Sequence, residues 1–524
     1  MKRHPNLVWI TCFALGLLFD FLFWKHSPGM NFAIYVALCL LAGGLLLHLD
    51  GSPVSHGARA LVPLILLFSA VTFMRAEPLT VILGIFFSLF MLAMLAVTFR
   101  GGRWLQFGVP DYIVSMLGLA KSVVVRPLWF RADVSRDLAE SGAHPKGLNP
   151  WPVLRGLLFA IPVLVVFAAL LASADLVFGR ELGNLLNLLK LEQLPEYVFR
   201  LTYVLAAAYS LAGVFLHAAT PRMDEHLVGQ GKALVGRFLG FVEASIVLGA
   251  VTILFTAFVV VQFRYFFGGQ VNIGLQGYTY SEYARRGFGE LMAVAFCSLL
   301  MIIGLGTVTR RDARLQQWVF SGLGLAIVGL VNVMLVSAFQ RLGLYEIAYG
   351  FSRLRTYAHV MLIWIGVLLA TVALLELLHR ERSFAAAAVV ASLGFALTLG
   401  GMNVDEFIVR QNVNRAVRGE SLDVAYLVSL STDTVPALAQ IFQSPSYPVE
   451  TREAIGAVLA CRAQLAGPRR HGDWRSFTLP GWRAENALRD MRQQLSAYRF
   501  IGDTWPARIL TPSGVEHACQ GSEP

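Results

Sequence analysis

Leu79–Phe99 reads LTVILGIFFSLFMLAMLAVTF, a run with no charged residue. At 1.5 Å per residue a helix of this length crosses a hydrocarbon layer about 30 Å thick. Runs of the same kind occur at Leu7–Trp24, Met30–Leu49, Ala58–Met74, Val153–Ala174, Val198–His217 and Gly240–Phe263. Four more follow at Leu291–Thr309, Trp318–Phe339, His359–Leu378 and Phe384–Met402. The pattern predicts an all-α polytopic transmembrane bundle of about eleven spans. Barrel strands are excluded, because they would alternate polar and apolar residues over about 10 positions. Composition agrees: 56% of the 524 residues are hydrophobic, 15% are charged, and mean hydropathy is +0.61. Soluble domains carry about 25% charged residues, so a soluble enzyme, a disordered chain and a disulfide-framed secreted module are excluded.

The basic start Met1-Lys2-Arg3-His4 ahead of an apolar run resembles a signal peptide. The run is longer than a signal core, and Trp24-Lys25-His26-Ser27-Pro28 follows in place of a cleavage site, so the first helix is read as retained. Lys and Arg set the orientation. With the N-terminus in the cytoplasm, Lys2, Arg3, Arg59, Arg100, Arg103, Arg310, Arg311, Arg314 and Arg380 all fall inside. An odd span number then places the C-terminal region, 403–524, outside. The net charge of +10 follows from this topology rule and from an anionic inner leaflet, and no nucleic-acid-binding module is present.

Between the spans, residues 1–99 hold four helices and 100–150 form the longest inner loop. Asp111–Phe130 within that loop reads as a helix lying on the inner membrane face, with Trp129 and Phe130 at the interface. Residues 151–402 supply seven further spans, and Arg180–Leu194 reads as a short amphipathic surface helix. After Met402 the composition turns soluble. Ser421–Ile441, Val449–Leu465 and Ala484–Arg499 are expected helices of a small outer domain, the first interrupted by Pro436. Cys12, Cys39 and Cys297 lie in spans and are read as core. Cys461 and Cys519 lie in the outer domain, where an oxidising compartment allows them to pair.

The motifs of soluble chemistry are missing. Gly229-Gln230-Gly231-Lys232 lacks the upstream Gly of a phosphate loop, and Ala233 stands where Ser or Thr would hold magnesium. Asp224-Glu225-His226 has no spaced partners for a metal. No catalytic residue, cofactor or metal is assigned. Intramembrane charges are more informative because they are costly without a partner or a cavity. Asp20 and Glu243 are expected to make buried contacts, and Glu290 and Glu376 to reach the interfaces.

The densest polar signal lies on the expected outer face. One loop runs Tyr278-Thr-Tyr280-Ser-Glu282-Tyr283-Ala-Arg285-Arg286-Gly287-Phe288. The other runs from Phe339 through Arg341, Tyr345, Glu346, Tyr349, Arg353 and Arg355 to Tyr357. Five Arg residues stand on the side that disfavours Arg, interleaved with aromatic rings. Forked guanidinium bonds suit phosphate or carboxylate, which suggests a site for an anionic lipid or envelope ligand. The competing reading is an Arg–Glu clamp between the loops, with Glu282, Glu290 and Glu346 as partners. Either way the two loops are expected to form one unit.

Tyr280-Ser281-Glu282-Tyr283-Ala284-Arg285-Arg286-Gly287-Phe288 resembles a family of bacterial polytopic membrane proteins defined only as a domain of unknown function (4153/4173 type). So do Arg341…Leu344-Tyr345…Tyr349-Gly350…Arg353-Leu354-Arg355, Asn403-Val404-Asp405 and Ser173-Ala174-Asp175…Phe178. Asp423-Val424-Ala425-Tyr426-Leu427…Leu430-Ser431…Asp433…Val435-Pro436-Ala437-Leu438 completes the likeness. The resemblance implies a bacterial inner-membrane location and carries over no activity. The leading functional expectation is a non-enzymatic sensor, binding or scaffold protein of the envelope. Membrane lipids are its expected partners, and protein partners stay open. A transporter or flippase for an anionic amphiphile is second. A membrane enzyme on lipid-linked substrates is third, with Asp175, Glu282 and Asp405 as its carboxylates.

Overall fold

The computed structural model describes residues 4–102, 104–140, 194–220, 238–266, 288–378, 380, 383–465, 473–501 and 507–519, with isolated positions between 160 and 178. Eleven helices among these are long and apolar enough to cross a membrane. They are α1 (Pro5–Phe23), α2 (Met30–Leu49), α3 (Leu61–Met74, preceded by a one-turn helix), α4 (Pro78–Thr98) and α5 (Val109–Glu140). There follow α6 (Leu194–Ala218), α7 (Phe241–Phe266), α8 (Phe288–Val308), α9 (Arg314–Tyr349), α10 (Arg353–Leu377) and α11 (Phe384–Met402).

These are not the same eleven that the apolar runs predict. The run Val153–Ala174 lies mostly outside the described residues; Ala160, Leu164, Phe167, Ala168 and Leu170–Ala172 are helical. The predicted surface helix Asp111–Phe130 is instead part of the continuous α5, whose first 26 residues have the length and composition of a span. The amphipathic stretch Arg180–Leu194 also lies outside the described residues, apart from Leu194 at the start of α6.

The chain divides into two compact units. In the first, α1 packs along α6. Gly16 permits the approach, since a Cβ there would lie 2.7 Å from the carbonyl oxygen of Val204. Small residues at crossing points are how membrane helices reach close van der Waals contact without a hydrophobic driving force. Gly213 of α6 does the same for α5, where a Cβ would lie 2.5 Å from Val123 Cα.

In the second unit, α7, α8, α9 and α10 share a core that includes Leu248, Leu291, Ile302, Phe320, Ile327, Val331, Met334 and Leu369. Helix α9 has 36 residues, about 54 Å at helical rise, and so outlasts a bilayer core. Its last turns cover Gln340–Tyr349, where a loop was expected. Leu342, Leu344 and Ile347 continue the apolar pattern until Gly350, at φ 83°, stops the helix. The connection to α10 is therefore only Gly350–Ser352.

After α11, Asn403 turns the chain in the left-handed region at φ 53°, and α12 (Val404–Val417) begins at once. Then come α13 (Val424–Ser429), α14 (Val435–Gln443), α15 (Val449–Leu465), α16 (Leu479–Asp490) and α17 (Arg492–Leu495). Ser421–Ile441 is broken as expected, with a 3-10 turn at Thr432–Thr434 and Pro436 in the first turn of α14. The expected helix Ala484–Arg499 ends early. Arg499 instead opens a small antiparallel sheet of β1 (Arg499–Ile501), β2 (Arg508–Leu510) and β3 (Glu516–Ala518), in the order 1-2-3. Strands of three residues are too short to show a period in sequence. Their pairing and the burial of Ile509 create them.

The C-terminal region is not a tethered appendage. Val360 of α10 and Leu399 of α11 belong to the same buried cluster as Val404, Ile408, Leu427, Leu438, Ile455, Val458 and Cys461. Leu79, Leu83 and Trp364 of the spans pack against it. Cys461 and Cys519 are joined in a disulfide, Cα–Cα 5.4 Å, which ties β3 to α15. Cys12 and Cys39 are buried; Cys297, expected in the core, is exposed on α8.

Candidate functional site

The second unit carries a buried polar cluster where α10, α11 and the α3–α4 turn meet the C-terminal region. Asp405 sits in the first turn of α12 because the Asn403 bend aims that turn back at the spans. It is fully buried. Arg353, the first residue of α10, grips it with both arms of its fork: Nε to Oδ1 at 2.8 Å and Nη2 to Oδ2 at 2.6 Å. The Ser431 N–H donates to Oδ2 at 2.6 Å. Tyr426 Oη accepts the Arg353 backbone N–H at 2.9 Å. Burial pushes the Tyr426 phenol up.

A second carboxylate lies one residue pair further on. Asp433 Oδ2 accepts the N–H groups of Ala76 and Glu77, at 2.7 and 3.0 Å, and the Ser431 hydroxyl at 3.1 Å. Burial raises its carboxyl above the ordinary value, against the pull of these bonds. Glu77 in turn caps α4. It accepts from the N–H groups of Leu79 and Thr80 at 2.9 and 2.7 Å, from the Thr80 hydroxyl, and from the Tyr357 hydroxyl. Arg462 of α15 closes the far side, donating to the carbonyls of Ser431, Leu427 and Leu430 at 2.9, 3.0 and 2.6 Å. Burial pushes its guanidinium down to about 10. Arg75 donates to the carbonyls of Gly400 and Gly401 at 2.7 and 3.2 Å.

Beside this cluster, the end of α9 is capped by arginine side chains, and an asparagine holds the chain just beyond it. Arg415 donates to the carbonyls of Ile347 and Ala348 at 3.0 and 3.1 Å, and Asn412 exchanges two bonds with the backbone of Phe351. Arg355 bonds to the carbonyls of Tyr349 and Gly350 and lies 4.1 Å over the Tyr345 ring. Cations at a helix C-terminus satisfy its orphan carbonyls and its dipole.

The Arg residues singled out from sequence therefore divide. Arg353 is committed to Asp405 and Arg355 to backbone carbonyls. Arg341 lies on α9 and is half-buried. Glu346, expected as an Arg partner, instead pairs with His359, Oε2 to Nδ1 3.2 Å. Glu282, Tyr283, Arg285 and Arg286 lie outside the described residues, and so does the juxtaposition of the two loops. Glu290 is in the first turn of α8 and exposed.

The intramembrane acids also divide. In the first unit Asp20 is paired with Arg200, Nε to Oδ1 2.9 Å, and receives the Tyr203 hydroxyl. Trp24 stacks on Tyr203 at 5.8 Å, and its indole N–H reaches Glu196 at 2.9 Å. Among the described residues Glu243 makes no buried contact. It is exposed and caps its own helix, accepting the Gly240 N–H at 2.6 Å. The reason is its place in the first turn of α7, where free N–H groups are nearer than any neighbouring helix. Glu376, in the last turn of α10, is buried and paired, with Arg311 at 2.8 Å and Ser321 at 3.1 Å. Asp175 is exposed, with Oδ1 3.4 Å from the Phe178 N–H.

Sequence reasoning missed Glu77, Tyr357, Arg462 and Arg200 as members of these clusters. Two signals were present. Glu77-Pro78 is a cap followed by Pro at the first helical position. Arg200 stands inside an apolar run, where a lone cation requires an acid, and Asp20 is one. Among the described residues no group of three or more His, Cys, Asp or Glu could hold a metal ion.

A family model described as "Domain of unknown function (DUF4153)" matches residues 62–441. That span takes in Glu77, Arg353, Asp405, Tyr426, Ser431 and Asp433. No curated protein and no solved structure matches the chain.

Proposed function

The chain belongs to this family of unknown function, and from that premise we propose a non-enzymatic integral membrane protein of the cell envelope that binds or senses an envelope component through its C-terminal region and carries that contact to the spans. The observation that supports this reading is the closed Arg353–Asp405 pair. Nε and Nη2 of the guanidinium meet the two carboxylate oxygens, and Asp405 has no access to solvent. A general acid or base needs a free lone pair or proton within reach of a substrate. A coupling element needs the opposite: a fixed pair that makes two bodies move as one. Asp433, Glu77 and Arg462 extend that fixation from α15 through Ser431 to the start of α4.

Residues 403–519 are placed outside the cytoplasm in this reading. The Cys461–Cys519 bridge supports it, because such bonds persist in oxidising compartments. Arg59, Arg100, Arg310, Arg311 and Arg314 stand at span ends remote from that region and suit the cytoplasmic side.

The full chain in proteoliposomes tests the proposal. A binding or sensing protein moves no headgroup-labelled anionic lipid between leaflets, and native mass spectrometry of the same preparation retains a bound lipid or envelope molecule. Leaflet exchange dependent on the protein refutes it in favour of transport. Turnover of a lipid-linked saccharide refutes it in favour of catalysis.

A further inference from the structure

Trp474 and Trp482 are 49% and 52% exposed. The backbone between them is fixed against the first turn of span α2. The Phe477 carbonyl accepts the Met30 N–H at 2.9 Å, Ser476 Oγ donates to the Ser27 carbonyl at 3.4 Å, and His26 Nε2 lies 3.0 Å from Asp473. The fit is close, since a Cβ on Gly29 would lie 2.7 Å from the Phe477 carbonyl oxygen. Met30 opens an apolar helix, so the edge of the hydrocarbon layer lies at this junction. The Trp474–Trp482 segment is thereby held at the depth of lipid headgroups.

Helix α16 presents the second indole outward. Pro480 and Ala484 are its buried side. Trp482, Glu485 and Arg489 share the opposite side at helical spacing. Glu485 and Arg489 pair at 2.9 Å, and Asp473 is held by Arg475. Arg483, next to Trp482, and Arg492 are exposed and make no ion pair among the described residues. Two half-exposed indoles and two such cations form one edge of the C-terminal region.

We propose that this edge is an interfacial anchor in the phospholipid headgroup layer beside α2, with Trp474 and Trp482 among the headgroups and Arg483 on lipid phosphate. An indole has an apolar body and one N–H donor, which suits a layer apolar on one side and wet on the other. A guanidinium fork suits phosphate. Docking of the C-terminal region would then rest on lipid as well as on the buried cluster. This inference does not depend on the function proposed above.

The test uses the full chain in nanodiscs of phosphatidylcholine and phosphatidylglycerol. Tryptophan emission is compared between wild type, W474F and W482F, each shown to unfold at the wild-type midpoint. The chain has 10 Trp, so the two together carry about one fifth of the emission if yields are equal. The difference emission should be quenched by a headgroup-attached nitroxide lipid and shielded from aqueous acrylamide, and R483Q should weaken quenching selectively in phosphatidylglycerol discs. Full acrylamide quenching with no nitroxide effect overturns the proposal, because the indoles are then in water. Protection from both quenchers overturns it in favour of a protein partner. If W474F does not fold, W482F carries the test.

Discussion

Replacing Asp405 by Ala removes the acid that meets both Nε and Nη2 of Arg353 and leaves the Ser431 N–H without its acceptor. Asp405 is fully buried and the Arg353 side chain is about one quarter exposed, at 24%. Breaking a buried pair from one side costs about 3–5 kcal/mol, because the remaining charge stays desolvated. The partial exposure of Arg353 lowers that figure, and the stranded Ser431 N–H, worth about 1–3 kcal/mol, raises it. The expected loss is therefore about 3–5 kcal/mol, a large share of a typical fold's stability. Arg353→Met should lose a similar amount, since it leaves a buried carboxylate. The double variant Arg353→Met/Asp405→Leu should lose less than either single one, because no charge is left uncompensated. Reversible unfolding in mixed micelles, followed by tryptophan emission, measures all three. Single variants within about 1 kcal/mol of wild type, or losses that add within about 0.5 kcal/mol, would show that the pair is not a lock.

Three further outcomes follow from the same architecture. Asp433→Asn should change stability at neutral pH by less than about 1 kcal/mol, since the amide oxygen can still accept the Ala76 and Glu77 N–H groups. The sign comes from its raised carboxyl: the folded state holds the proton more tightly than the unfolded state, so this group's contribution declines as pH rises above 3.8. A loss for Asp433→Asn larger than that for Asp405→Ala contradicts this. Thiol labelling without reductant should find neither Cys461 nor Cys519, and Cys461→Ser should cost about 4 kcal/mol for a loop closed across 58 residues; two labelled thiols, or no loss, reject the bridge. Reporter fusions after Gly147 and at the C-terminus should report opposite compartments. The packing of Ser122 and Arg126 on His217 and Leu216 favours this, because the middle of α5 then meets the last turns of α6 and not its midpoint. The same compartment for both means that the 153–174 run does not cross, so that six spans, an even number, separate the two points.

Helix class and ten of the spans were legible because lipid enforces them. Leu79–Phe99 can satisfy its backbone in hydrocarbon only as helix, whatever surrounds it. The pairing of Cys461 with Cys519 was open to a compartment argument. The Arg residues near Gly350 were visible as a cluster on the unexpected side, and Asn403-Val404-Asp405 as a motif.

Their partners were not visible. Arg353 meets Asp405 only because Asn403 turns α12 back onto α10, and 52 residues separate the two. Glu77 meets Tyr357 across 280 residues, and Asp433 meets Ala76 across 357. A charge announces that it needs a partner through the cost of its burial, and that cost is a property of the residue. Which opposite charge lies within 3 Å depends on helix crossings set by the packing of many apolar side chains. Helix α9 shows the same division: its apolar pattern runs on to Tyr349, but whether those last turns stay helical rests on Arg355 and Arg415 arriving from α10 and α12 to take up its final carbonyls.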